Sequence, residues 1–249
     1  MKHEQQHHFF LYDPTLETTS LKVGSEITLS QDIATRIAAI LRLRIREFCT
    51  LFKKDTAATI QLSAILPGKG AKITGTITAI QTPPPLQPEI TLLCGVTKQT
   101  TFEEICYTAT QLGVSNIFPI TTTKSYAKAY TPKDFARFEA HMIAAAEQSK
   151  QIILPILHQP TTLEALSQTL KTSTSTKIVF ETDGNPLKSL LLAEKPTNIT
   201  IAFGPEGGFT PSECAELFEC GFSKMQLCKP ILRTQDAVVV GLGMIRSIF

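Results

Sequence analysis

Two short segments near the end of this 249-residue chain carry side chains and backbone freedom suited to ligand chemistry. The first is Gly204-Pro205-Glu206-Gly207-Gly208-Phe209, three glycines in five residues, which reads as following a strand and leading into a capped helix. Glycines there let a ligand come close to main-chain N–H and C=O groups, because no Cβ stands in the way. The spacing is neither the G-x-G-x-x-G of a dinucleotide site nor the Gly-Lys-Ser/Thr ending of a P-loop, which argues against a nucleotide phosphate. The second segment is Leu227-Cys228-Lys229-Pro230-Ile231-Leu232-Arg233-Thr234, ahead of an apolar helix expected over residues 235–248. Arg233 stands before the start of that helix, where the dipole offers a cation nothing, so it should pair with a carboxylate or a phosphate. Taken singly, the first segment also reads as a tight strand-to-helix turn and Arg233 as an ordinary salt bridge.

Loops of this kind bind ligands when a parallel sheet aims its strand ends at them. Strands are expected near 90–96, 116–120, 152–156, 177–182, 198–203 and 224–228, alternating with helices, the pattern of an α/β domain with a parallel sheet covered on both faces. Thr101 with Glu104, Thr131-Pro132 with Asp134, and Thr210-Pro211 with Glu213 each place a hydroxyl three residues before a carboxylate, the signal of a capped helix start.

Ahead of this region lies Pro83-Pro84-Pro85-Leu86-Gln87-Pro88, which can continue neither a helix nor a central strand and reads as a stiff linker. The expected domains are 1–82, a 83–88 linker, and 89–249. In the first, short strands at 26–29, 47–52, 59–66 and 73–80 surround one helix that Ser30 is placed to cap, with Ile33, Ile37, Ile40 and Leu41 at helical spacing, the pattern of a small β-barrel.

Composition sets the outer bounds. At 43% hydrophobic and 18% charged residues, the chain has ample core material and is too apolar for general disorder. The longest apolar run, around Ala237 to Ile245, is shorter than a membrane span, and the polar opening Met1 to His8 is no signal peptide. Cys49, Cys94, Cys106, Cys214, Cys220 and Cys228 contain no C-x-x-C pair or matching His spacing, so reduced thiols and no metal site are expected, and a cytoplasmic location with them. His3, His7 and His8 lack acidic or thiol partners and read as an ordinary terminus. The net charge is +2, and its basic excess is N-terminal: residues 1–88 hold 10 basic against 7 acidic side chains, residues 89–249 hold 14 against 15. Arg36, Arg42, Arg44, Arg46, Lys53 and Lys54 face only Glu47 within their segment, which is either a solvated face or a patch that attracts phosphates.

Together, Phe203 to Thr210 and the downstream Leu227 with Ile231-Leu232-Arg233-Thr234 resemble the RsmE family, bacterial methyltransferases that modify N3 of a uridine in small-subunit ribosomal RNA. Ile40-Leu41-Arg42, Leu112-Gly113-Val114 with Pro119, and Ala144 to Ser149 are similar to other segments of that family, so the resemblance spans nearly the whole chain. It implies a PUA-like β-barrel followed by a SPOUT domain whose C-terminal chain threads a trefoil knot. It further implies S-adenosylmethionine bound bent in the knot by Gly204, Pro205, Glu206, Gly207, Gly208, Leu227, Ile231, Leu232 and Thr234, with the segment from Phe180 as a third wall. Arg233 is then the catalytic candidate. Arg36, Arg42, Arg44, Arg46 and Lys124 are the RNA-contact candidates, 16S rRNA within the small subunit is the partner, and a homodimer the assembly. Departures from the family pattern mostly remove charge: Thr108, Gln111, Gln151, Lys124, Cys228, Pro230, Gln235 and Asp236. The Gly-rich loop and Arg233 are kept. A catalytically weak RNA-binding or ribosome-assembly factor and a SPOUT enzyme acting on another RNA position are the alternative readings.

Overall fold

A computed structural model describes residues 8–66, 70–127, 129–187, 190, 192 and 195–249. His3 and His7 lie outside the described residues. The chain divides into two compact units, one made of residues 1–84 with 146–153 and the other of 85–145 with 154–249.

The first unit holds a five-stranded sheet in the order β1-β3-β4-β5-β2, built from β1 (Phe9–Tyr12), β2 (Glu26–Thr28), β3 (Phe48–Lys53), β4 (Thr56–Leu66) and β5 (Lys72–Gln81). β1 joins β3 in parallel; the other pairs are antiparallel. Leu51, Ile60, Leu62, Ile73 and Ile77 point to one core with Ile33 and Ile37 of the helix. Each such buried side chain is worth roughly 1.5–3 kcal/mol, which is what holds the short strands together. The helix begins as α1 (Gln31–Thr35), continues as a wider π-helical turn over Arg36–Leu41, and stops where Arg42 adopts a left-handed conformation at φ 55°. The Ser30 side chain makes no capping bond, so apolar packing rather than a cap fixes this helix.

The second unit is a six-stranded, all-parallel sheet in the order β11-β9-β10-β6-β7-β8. Its strands are β6 (Glu89–Gly95), β7 (Asn116–Ile120), β8 (Ile156–Leu157), β9 (Thr176–Pro186), β10 (Asn198–Phe203) and β11 (Ser223–Gln226). Side-chain alternation along β10 shows why the sheet must be covered twice: Ile199, Ile201 and Phe203 enter one core, and Ala202 enters another. The first core is closed by α2 (Gln99–Gln111), α3 (Pro132–Ser149) and α6 (Thr234–Arg246), through Ile105, Phe138 and Leu242 among others. The second is closed by α4 (Leu163–Thr172) and α5 (Pro211–Glu219), through Leu163, Leu170 and Leu217. The strand expected over 152–156 is instead the two-residue β8, because Pro155 has no N–H to give a ladder. α2 begins at Gln99, two residues before the expected hydroxyl start.

Arg246 closes the second unit. Its guanidinium donates to the carbonyls of Leu112, Gly113 and Pro88, each at 2.8 Å, so a half-buried cation sits at the carbonyl end of α2. Among the described residues no helix is long and apolar enough to cross a membrane, and no three His, Cys, Asp or Glu side chains cluster to hold a metal ion.

Candidate functional site

A cavity of about 890 Å³ opens beyond the ends of β6, β7, β10 and β11 and beside residues 180–182 within β9. That size suits a small-molecule cofactor. Its walls come from the Gly204–Phe209 loop, from 180–182, from 227–237 and from Lys98, Thr101, Lys124 and Tyr126. The structure thus brings Phe180, Gly204, Pro205, Glu206, Gly207, Gly208, Leu227, Ile231, Leu232, Arg233, Thr234 and Lys124 to one cavity.

The glycine loop has its shape for steric reasons. A Cβ on Gly204 would lie 2.9 Å from Gly208 Cα and from Phe209 N, all backbone, so the loop folds tightly on itself only with glycine there. Gly208 closes the turn by donating its N–H to the carbonyl of Pro205 at 2.8 Å, with φ at +68°. Gly95, the last residue of β6, leaves room for the same loop, since a Cβ there would meet Pro205 Cδ and N at 2.4 Å. Below, the stacked rings of Phe180 and Phe203, 4.7 Å apart, make an apolar floor. Gly241 of α6 lets that helix approach the floor, as its Cβ would stand 2.9 Å from Phe203 Cζ.

Neighbouring loops fasten the glycine loop from outside. Glu206 Oε1 accepts from Lys98 N at 3.3 Å, and Lys124 Nζ donates to the carbonyl of Gly207 at 2.8 Å. Glu213 completes a capping box with Thr210 and also accepts from the N–H and hydroxyl of Thr123, at 2.7 and 3.0 Å. Burial pushes the Glu213 carboxyl up, but the bonds from Thr210 and Thr123 outweigh it and hold the group below its ordinary value.

Arg233 is the residue before α6, its side chain 76% exposed at the cavity, with Nε donating to Asp236 Oδ2 at 2.8 Å. That hydrogen bond, and then the Asp236 charge, raise the guanidinium above its ordinary value, so it is a fixed cation. Cys94, buried under the loop, is pushed up to about 12 by desolvation and by Glu206, and is inert as a nucleophile.

The basic candidates of the first unit separate into two kinds. Arg36 makes a bidentate pair with Glu147, Nη1–Oε1 2.9 Å and Nη2–Oε2 2.6 Å, and Glu147 also accepts from Tyr12 N. Arg42, Arg44 and Arg46 are exposed on the turn between the helix and β3, where Arg42 and Arg46 take positive φ. Sequence reasoning missed Lys98, Thr101 and Tyr126 as wall residues, although the rule that ligands sit beyond strand ends pointed to the loops after β6 and β7 as much as to those after β10 and β11.

A family model described as an RNA methyltransferase domain matches residues 84–246. A Synechocystis protein named ribosomal RNA small subunit methyltransferase E is 30% identical over 162 residues, covering 64% of this chain and 53% of its own. The protein of the same name from Rickettsia conorii is 25% identical over 241 residues, 94% of this chain and 95% of its own. The chain spans about half to two thirds of the length of the first curated relatives it matches. Among solved structures, a ribosomal RNA small subunit methyltransferase E from Neisseria gonorrhoeae bound to S-adenosyl methionine superposes with a TM-score of 0.81 at 26% identity, covering 98% of both chains. A putative methyltransferase from Legionella pneumophila, TM-score 0.80 at 22% identity, has the same fold over 97% of this chain.

Proposed function

This chain belongs to the RNA methyltransferase family, within its RsmE group, and from that premise we propose that it methylates N3 of a uridine in small-subunit ribosomal RNA using S-adenosylmethionine. The observation that carries the reading is the cavity beyond the parallel strand ends, walled by the glycine loop and by 227–237. Its residues suit the cofactor chemically. Backbone groups freed by Gly204, Gly207 and Gly208 can meet adenine and ribose, the Phe180–Phe203 floor takes apolar surface, and Glu181 and Glu206 offer carboxylates to a ligand with two cationic centres. Bound there, S-adenosylmethionine supplies a methyl group on a sulfonium leaving group.

The work of the protein is orientation and charge. Uridine N3 reacts once its imide proton is gone, and the resulting anion needs a cation near it. Arg233 fills that role: it lines the cavity and its Nε is held by Asp236. RNA is gathered by Arg42, Arg44 and Arg46 in a PUA-like domain at residues 1–82, joined by 83–88 to a catalytic domain at 89–249. The proposal includes a trefoil knot, a reading supported by the closeness of α6 to the glycine loop, where Thr234 bonds to Gly204 and Gly241 lies against Phe203. It includes a homodimer acting in the cytoplasm.

Purified protein, S-adenosylmethionine and small ribosomal subunits lacking the modification test this reading. The expected result is one new reverse-transcription stop and 3-methyluridine in the nuclease digest, since N3 methylation blocks base pairing. Methylation on ribose, or none despite cofactor and subunit binding, would overturn it.

A further inference from the structure

The mouth of the cavity carries an aromatic side chain outside the glycine loop and the 227–237 wall. Tyr126, in the loop after β7, is 65% exposed and lines the same cavity as Arg233. The loop that carries it is hydrogen-bonded to its surroundings. Tyr126 N donates to Val96 O at 3.1 Å, Thr122 N donates to Ser125 Oγ at 2.9 Å, and Thr123 is held by Glu213 at 2.7 Å. The loop is therefore fastened to the end of β6, to itself and to α5. Lys98 Nζ lies over the ring, 5.6 Å from its centre.

An exposed aromatic ring on a hydrogen-bonded loop, with a cation over it and beside a cavity lined by Lys98, Lys124 and Arg233, matches what an unstacked base of single-stranded RNA needs. The geometry points to Tyr126 as the platform on which a base of the RNA substrate stacks, with Lys98 beside that nucleotide's phosphate. This rests on the RNA-methylating reading of the cavity. The target base must leave its own stack to reach a buried cofactor, and a surface that replaces the lost stacking lowers the cost of that displacement.

Two measurements separate this inference from the reading beneath it. In the first, steady-state methyl transfer to unmodified small subunits is compared for wild type, Tyr126→Ala and Tyr126→Phe, with S-adenosylmethionine affinity measured by calorimetry. Tyr126→Ala should raise KM for the subunit about tenfold while cofactor affinity stays within about twofold, and Tyr126→Phe, which keeps the ring, should recover most of that loss. An unchanged KM, an equal loss of cofactor affinity, or a shift in sedimentation that marks a contact between copies would each overturn the platform. In the second, a 4-thiouridine-substituted transcript of small-subunit rRNA is cross-linked by near-ultraviolet light. A cross-linked peptide containing Tyr126 supports the platform even if no methyl transfer is found with any RNA, which would sink only the enzymatic reading. Cross-links confined to other peptides overturn it.

Discussion

The hydroxyl of Thr234, first residue of α6, donates to the carbonyl of Gly204, first residue of the glycine loop, across 3.3 Å and thirty positions of sequence. Two loops that sequence separates by a helix and a strand are thereby one wall. Thr234 is also buried, so replacing it with alanine leaves the Gly204 carbonyl without this partner and should cost about 1 kcal/mol. Thr234→Ala is expected to lower the melting temperature by about 2–4 °C and to weaken S-adenosylmethionine binding, and thermal unfolding alongside calorimetry checks both.

Two glycines of the same unit predict opposite outcomes. At Gly204 an added Cβ meets only backbone, so Gly204→Ala forces the loop open, destabilises by about 1–3 kcal/mol and abolishes cofactor binding. At Gly243, inside α6, an added Cβ meets nothing within 4 Å, so Gly243→Ala should stabilise by roughly 0.5–1 kcal/mol. Denaturant titration of both variants reads the two signs.

Arg233→Ala should lower methyl transfer about 100- to 1,000-fold with cofactor affinity unchanged, as for loss of a preorganised donor to a developing anion. Asp236→Asn should show a smaller loss of the same kind, because it releases the guanidinium without removing it. Single-turnover rates on small subunits check both.

Cys228 lines the cavity and is half-buried, whereas Cys49 and Cys94 are buried and desolvation pushes both thiols up to about 12. At pH 8, alkylation of the folded protein should reach Cys228 before either of them. Cofactor at 100 times its Kd should slow the Cys228 reaction about 100-fold. Peptide mass spectrometry after timed labelling gives both rates.

Glu213 makes stability depend on pH with a known sign. Its folded carboxyl lies below the ordinary 4.5, so its contribution is fully present above that value and is lost as pH falls through the lowered one. Glu213→Gln should therefore cost about 1 kcal/mol at pH 7, and the deficit should shrink as pH falls below 4.5. Urea unfolding midpoints measured from pH 3 to 7 test this.

What was legible in the sequence was whatever local chemistry decides. Thr210-Pro211 with Glu213 is a complete capping box, and β7 and β10 fall on 116–120 and 198–203 as apolar runs predict. Elements fixed by distant partners were not. β1 is four residues that become a strand only by lying beside β3, forty positions away in sequence. The same division holds at the cavity. Glycine spacing marked the 204–208 loop, but Lys98 and Tyr126 join the wall only through the order β11-β9-β10-β6-β7-β8, which no local pattern encodes.

Arg246 binds three carbonyls, that of Pro88 near the start of the second unit and those of Leu112 and Gly113 just past α2. During synthesis those carbonyls leave the ribosome well over a hundred residues before the guanidinium that satisfies them. A nascent chain made only through β11 would have its sheet and its glycine loop yet lack α6, and with it Thr234 and one whole wall of the cavity. The cavity is thus completed late in synthesis, and chains terminated before α6 lack the pocket that a bound ligand would stabilise.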